Sequence, residues 1–207
     1  MIENTSLTKA EQTRALILST GRELVLARGF SGVGLKDILT SAQVPKGSFY
    51  YYFASKDAFG AAMLADYVAE YLDGFDRIVA APGTAGDRLD AFFSRALGGE
   101  AGSMAQRCLV VKLAAEIADL SEAMRCILDD GINQLCARLA TLLEDGAVDG
   151  SLCPQTDSSA AARLLYAQWL GAAILAKLAR DPAPLEQALI DTRRRFLRLP
   201  QAQGLNS

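Results

Sequence analysis

Eight consecutive residues, Lys46-Gly47-Ser48-Phe49-Tyr50-Tyr51-Tyr52-Phe53, gather an ammonium, two small residues and five aromatic rings. On so short a helix five rings cannot all turn inward, so some phenol hydroxyls face out. A cation for phosphate oxygens, small residues for close approach and polar tips within reach of base edges are what a protein needs to contact duplex DNA in a groove. Lys36 and Lys56 flank the run and add cations suited to the phosphate backbone. The competing reading, an aromatic core with one solvated lysine, leaves the turn chemistry before the run without a purpose. Other chemistries lack their groups. The chain has no histidine, which removes the commonest general base and the commonest metal ligand. Cys108, Cys126, Cys136 and Cys153 contain no C-x-x-C pair, so no zinc site is expected. With no nucleophile elbow and no phosphate loop, no catalytic residue, metal or cofactor is expected, and the chain does not read as an enzyme.

The elements that must hold this run are readable around it. Leu35, Ile38 and Leu39 recur at helical spacing. Ser41 to Pro45 breaks that pattern, because Pro45 disfavours a helical Val44 and suits the first turn of a following helix. Ser55 is placed to cap the next helix. Upstream, Thr8-Lys9-Ala10-Glu11 reads as a capping box. It opens a helix to about Arg28 that Gly29 ends, with Ala15, Leu16, Leu18, Leu24, Val25 and Ala27 as its expected buried positions and Met1 to Leu7 as a loose tail. Lys9 and Arg14 suit phosphates or solvent equally well.

Downstream, helices are expected from Ser55 to Val79, Asp87 to Leu97 (ended by Gly98-Gly99), Met104 to Ala118, Ser121 to Asp145 (ended by Gly146 to Gly150), Thr156 or Asp157 to Arg180, and Leu185 to Leu199. No stretch alternates well enough for a strand. The fold class is therefore all-α, with about nine helices: an N-terminal three-helix helix-turn-helix domain over residues 1–54 and a larger helical effector-sensing and dimerisation domain over 55–207. Ala161, Leu164, Leu165, Gln168, Ala172 and Leu175 with Leu185, Leu189 and Phe196 form wide apolar faces. They fit either a four-helix homodimer interface or burial inside one copy.

With 207 residues, 51% of them hydrophobic, the chain can bury one or two cores. The net charge is −3, yet residues 1–60 carry +2 and the remainder −5. The basic surplus thus lies with the helix-turn-helix, where phosphates would be met. No apolar run reaches membrane-spanning length without a polar break, since Leu164 to Ala179 contains Gln168 and Lys177. No signal peptide precedes the first helix, so a cytoplasmic protein without membrane contact is expected.

The run VPKGSFYYYFASKDAF, with Gly29-Phe30 and Val33-Gly34-Leu35-Lys36-Asp37-Ile38 before it, resembles the signature of the TetR family of transcriptional repressors. That resemblance implies binding to double-stranded operator DNA as a homodimer, with Lys36, Lys46, Gly47, Ser48, Tyr50, Tyr51 and Lys56 at the DNA, and release by a small inducer. Two positions depart from the family habit. Gly34 stands where Thr or Ser usually caps the helix and bonds a phosphate, and Tyr51 where His is frequent.

A second stretch, CLVVKLAAEIADLSEAMR from Cys108, is similar to the electrophile- and redox-responsive NemR-like branch, whose members respond to quinones, aldehydes and reactive chlorine. The resemblance implies that Cys108 is the reactive thiol and that Lys177 lies beside it and takes part in its chemistry. The residues agree: a thiol reacts as thiolate and a nearby cation favours that form. Lys177 is the only charge between Arg163 and Arg180. Without the resemblance, Cys108 reads as a small core residue. The alternative inducer is a small ligand bound reversibly, for which Tyr67, Tyr71 and Trp169 could line a pocket, or simply be core.

Overall fold

The capping chemistry read from the sequence marks several of the helix ends found. The computed structural model describes residues 8–98 and 102–198. The tail expected over Met1 to Leu7, Gly99 and the helix end at Leu199 lie outside them. The described residues form ten helices: α1 (Lys9–Arg28), α2 (Leu35–Ala42), α3 (Lys46–Tyr52), α4 (Lys56–Val79), α5 (Ala85–Ala96), α6 (Met104–Arg107), α7 (Leu109–Leu120), α8 (Glu122–Asp149), α9 (Ser158–Ala179) and α10 (Ala183–Phe196). Outside the helices the described residues form one isolated antiparallel bridge, Leu152 to Leu197.

The chain packs into two compact units. One combines the segment up to Glu70 with Lys112–Gly131; the other combines Tyr71–Val111 with the segment from Ile132 onward. In the first, the Thr8 hydroxyl accepts the Glu11 amide at 3.3 Å while Glu11 takes the Thr8 amide at 2.8 Å. These two bonds close the box that starts α1. Gly29 ends α1 with φ +81°, a conformation that suits glycine. The buried face of α1 is Ile17, Leu18, Gly21 and Val25. Ala15, Leu16 and Ala27 are exposed instead, because the inward stripe is set by Gly21, which lets the Phe59 ring come so close that a Cβ there would lie 2.3 Å from Phe59 Cζ. α1 packs on α2.

The second unit is held by rings. Phe93 stacks on Trp169 at 4.7 Å, Phe92 meets both Phe93 and Phe75 at 4.9 Å, and Tyr71 meets Phe92 edge-on at 6.2 Å. Such offset and edge-on pairs add to what burial of the rings already contributes. α10 packs on α9 and on α5, and α6 packs on α9. The Arg193 guanidinium grips Asp90 through two bonds of 2.6 and 3.0 Å. This forked, charge-assisted pair ties α10 to α5. Two elements differ from expectation. The stretch expected as one helix from Met104 breaks at Cys108, which gives the tenth helix. Gly146 lies inside α8 rather than ending it, because a Cβ there would meet Leu152 Cδ1 at 2.3 Å; this glycine serves close packing.

Candidate functional site

Helix α3 is positioned by the turn before it and the rings behind it. Gln43 adopts the left-handed conformation, φ 54°, and the Val44 amide reaches back to the Leu39 carbonyl at 3.1 Å. α2 therefore ends abruptly. Pro45 is the N-cap of α3 rather than its first helical residue. Phe49 and Phe53 turn inward and meet Phe59, with ring centres 5.7 and 5.4 Å away. That anchor leaves Tyr50 at 51% and Tyr51 at 76% exposed, with Tyr52 half-buried between the two groups. Ser55 Oγ accepts the Ala58 amide at 3.0 Å and so caps α4.

The outward side of α3 therefore carries Lys46, Gly47, Tyr50 and Tyr51 together, with Ser48 half-buried beside them. Lys46 Nζ lies 5.8 Å from the centre of the Tyr50 ring, within range of attraction to its face. A Cβ on Gly47 would meet nothing within 4 Å, so no internal contact requires glycine there. Lys36 is exposed on α2. At the start of α2, Gly34 offers no side-chain cap; its amide donates to Asp37 at 2.9 Å. Lys56 is placed differently from the other cations. It is half-buried and donates to the Phe30 carbonyl at 2.8 Å, with its ammonium 4.5 Å from the Phe30 ring centre.

The thiol lies in the other unit. Cys108 is 4% exposed and extended, with φ −73° and ψ 115°, and its amide donates to the Met104 carbonyl at 3.0 Å. It directly precedes α7, whose N-terminal end favours negative charge. Burial pushes the Tyr71 hydroxyl well above its ordinary value, and charge at Cys108 adds to that, since both disfavour the phenolate. Tyr166 is raised by burial first, then by Tyr71, Cys108 and Cys136. Tyr166 thus lies within electrostatic reach of Tyr71, Cys108 and Cys136, and Tyr71 within reach of Cys108, and both phenols stay neutral O–H groups. Tyr166 escapes the sequence reading, since nothing in LLYAQWL separates it from core residues.

The other cysteines differ. The Cys126 thiol is held neutral mainly by its hydrogen bond to Glu122, at 3.3 Å. Burial raises Cys136. Lys177 is exposed in the last turn of α9, the helix on which α6 packs. Trp169, expected as a pocket wall or as core, is fully buried, and its Nε1–H donates to Thr192 Oγ1 at 3.0 Å. Tyr67 is half-buried one turn before Tyr71 on α4.

The apolar stripe expected on α9 and α10 divides. Leu165, Ala172, Leu185, Leu189 and Phe196 are buried within the monomer. Leu164, Ile174, Leu175 and Leu178 of α9, with Ile190 of α10, are the exposed apolar residues. Among the described residues no helix is long and apolar enough to cross a membrane, and no cluster of three or more His, Cys, Asp or Glu side chains is arranged to hold a metal.

The sequence profile of bacterial regulatory proteins of the tetR family matches residues 17–63, and that of the tetracyclin repressor-like C-terminal domain matches residues 85–191. The chain is 43% identical over 180 residues to the HTH-type transcriptional repressor NemR of Escherichia coli, covering 86% of this chain and 90% of that one. It is 33% identical over 171 residues to the transcriptional regulator AcuR of Cereibacter sphaeroides, covering 82% and 78%. Among solved structures it superposes on the reduced form of E. coli NemR with a TM-score of 0.85 and 40% identity, covering 92% of this chain and all of that one.

Proposed function

The chain belongs to the TetR family of transcriptional repressors, and from that premise we propose that it holds operator DNA as a homodimer through α3 and releases it when an electrophile or oxidant modifies Cys108. Residues 1–54 read the DNA, and residues 55–207 sense and dimerise. Lys46, Gly47, Ser48, Tyr50 and Tyr51 form the reading surface, with Lys36 on a flanking phosphate. Lys56 belongs to the support of that surface.

The observation that carries the sensing reading is the place of Cys108: a buried thiol at the break between two helices, at the N-terminal end of the second. With a quinone or an α,β-unsaturated aldehyde, the thiolate forms a C–S bond to the β-carbon. The alkene electron pair moves to the carbonyl oxygen, and solvent returns the proton. With hypochlorous acid, chlorine passes to Sγ, which is oxidised, and hydroxide leaves. Either product adds volume where close packing has none to spare, so the α6–α7 break must shift. Lys177, on the helix against which α6 packs, is the proposed cationic partner. That the similar NemR protein was solved as a reduced form supports a redox reading here.

Cys108→Ser tests it. Operator affinity is measured before and after p-benzoquinone, with mass spectrometry locating the adduct. The serine variant is expected to hold the operator and ignore the quinone. A serine variant that still lets go would move the inducer to a reversible site beside Tyr71.

A further inference from the structure

A carboxylate on α7 holds the front of the helix-turn-helix. Glu116 accepts the Ser31 amide at 2.6 Å on Oε1 and the Phe30 amide at 3.1 Å on Oε2. Both amides follow Gly29, whose φ of +81° turns the chain out of α1; a Cβ on Gly29 would lie 2.9 Å from Glu116 Oε2, so the approach is tight. One turn earlier on α7, Lys112 Nζ donates to the Ala27 carbonyl at 3.3 Å, one of the last carbonyls of α1. α7 therefore satisfies one carbonyl left over at the end of α1 and two amides of the loop that follows it. Charge-assisted bonds of this kind are strong and sensitive to geometry. Gly34, three residues after Ser31, gives α2 no side-chain cap. The loop in front of α2 is held from outside.

α7 starts at Leu109, the residue after Cys108, and Glu116 lies about two turns further along the same helix. We propose that Glu116 is the positioning residue through which the state of Cys108 reaches the DNA-reading helices. Displacement of the first turn of α7 draws the carboxylate off the Phe30 and Ser31 amides, and the loop that sets α2 and α3 is freed. The inference rests on the thiol-sensor reading above, and it supplies that reading with a route to the DNA-reading helices. The route runs along a single helix, so it is a mechanical link rather than a diffuse one.

The test uses the dimer and an operator duplex selected from a random pool with the wild-type protein. Operator affinity is measured with and without a p-benzoquinone adduct at Cys108, for wild type and Glu116→Gln. In parallel, hydrogen exchange of the peptide spanning residues 29–34 is followed in the wild type. The adduct is expected to weaken wild-type binding by about tenfold or more and to speed exchange of that peptide. Glu116→Gln, carrying the same adduct, is expected to change by less than about threefold. A responsive wild type whose residues 29–34 exchange at an unchanged rate overturns the latch alone, whether or not the glutamine variant folds. So does a folded Glu116→Gln with the full wild-type response. A wild type indifferent to the adduct overturns the sensor reading, and the latch as its relay with it.

Discussion

Lys56 donates its ammonium to the Phe30 carbonyl at 2.8 Å, which fixes the first turn of α4 to the loop after α1. Lys46, at the open end of α3, meets the face of Tyr50 instead. Two lysines ten residues apart are therefore expected to fail differently. Lys56→Met should lower the unfolding free energy by about 1–2 kcal/mol, the worth of a charged hydrogen bond discounted for partial exposure. It should leave the slope of log affinity against log salt unchanged. Lys46→Ala should change stability by less than about 0.5 kcal/mol and reduce that slope by about one. Urea unfolding and operator titration over a salt series read both.

Gly47 and Gly21 make a second contrast. Nothing internal needs Gly47 to lack a Cβ, whereas Gly21 is pressed by the Phe59 ring. Gly47→Ala is expected to raise stability by up to about 1 kcal/mol, through helix propensity, while operator affinity falls because the Cβ stands where the groove wall must come. Gly21→Ala is expected to cost about 1–3 kcal/mol through overpacking. A Gly47→Ala protein that is more stable and binds equally well would remove that residue from the DNA surface.

The helix-turn-helix is legible because its signals are local. Thr8 with Glu11, Gly29, Pro45 and Ser55 each act within one turn of where they stand. What escapes reading acts over distance. No glycine or proline marks Cys108, so nothing in MAQRCLVV announces that the helix breaks there; packing of α6 on α9 belongs to the folded chain alone. Gly146 has the look of a stop, but Leu152, met only after the chain doubles back, needs the space. Glu116 bonds amides 85 and 86 residues away, and an acid in LAAEIADL reads as surface. The phase of α1 slips for the same reason: a glycine counted as neutral faces the core.

The exposed residues Leu164, Leu175 and Leu178 lie on α9 with Gly171 between them, where a Cβ would meet nothing within 4 Å. Their spacing gathers them toward one side of the helix. A helix from a second copy could approach that side closely. Leu178, 78% exposed in the monomer, should then become a buried contact. Leu178→Arg is expected to weaken the dimer by at least about tenfold, as loss of a central interface contact does, and to leave the monomer's helicity unchanged. Operator affinity should fall with it, since one subunit reads only one half-site. Sedimentation velocity over a concentration series decides; a variant that stays dimeric would place the interface elsewhere.

Acid offers a separate reading of Glu116. Burial alone would raise its carboxyl, but the hydrogen bonds from Ser31 and Phe30 and the charge of Lys112 together hold it below its ordinary value, because each favours the ionised form. A depressed carboxylate lends stability that is fully present above its unfolded value, about 4.3, and that disappears as pH falls through the lower folded one. The gap in unfolding free energy between wild type and Glu116→Gln should therefore be widest near neutrality, begin to close as pH falls toward about 4.3, and go on closing below it as the carboxylate is protonated. Glu122, lowered to about 2 mainly by its hydrogen bond from Arg125, titrates in both proteins, as do Glu11, Asp87, Asp149 and Asp191, which are also lowered. Those contributions cancel in the difference, so the closing gap belongs to Glu116. Urea unfolding of both proteins at each pH measures it. A gap independent of pH would mean that the Phe30 and Ser31 amides are held without the carboxylate's charge, and a glutamine could then hold them as well.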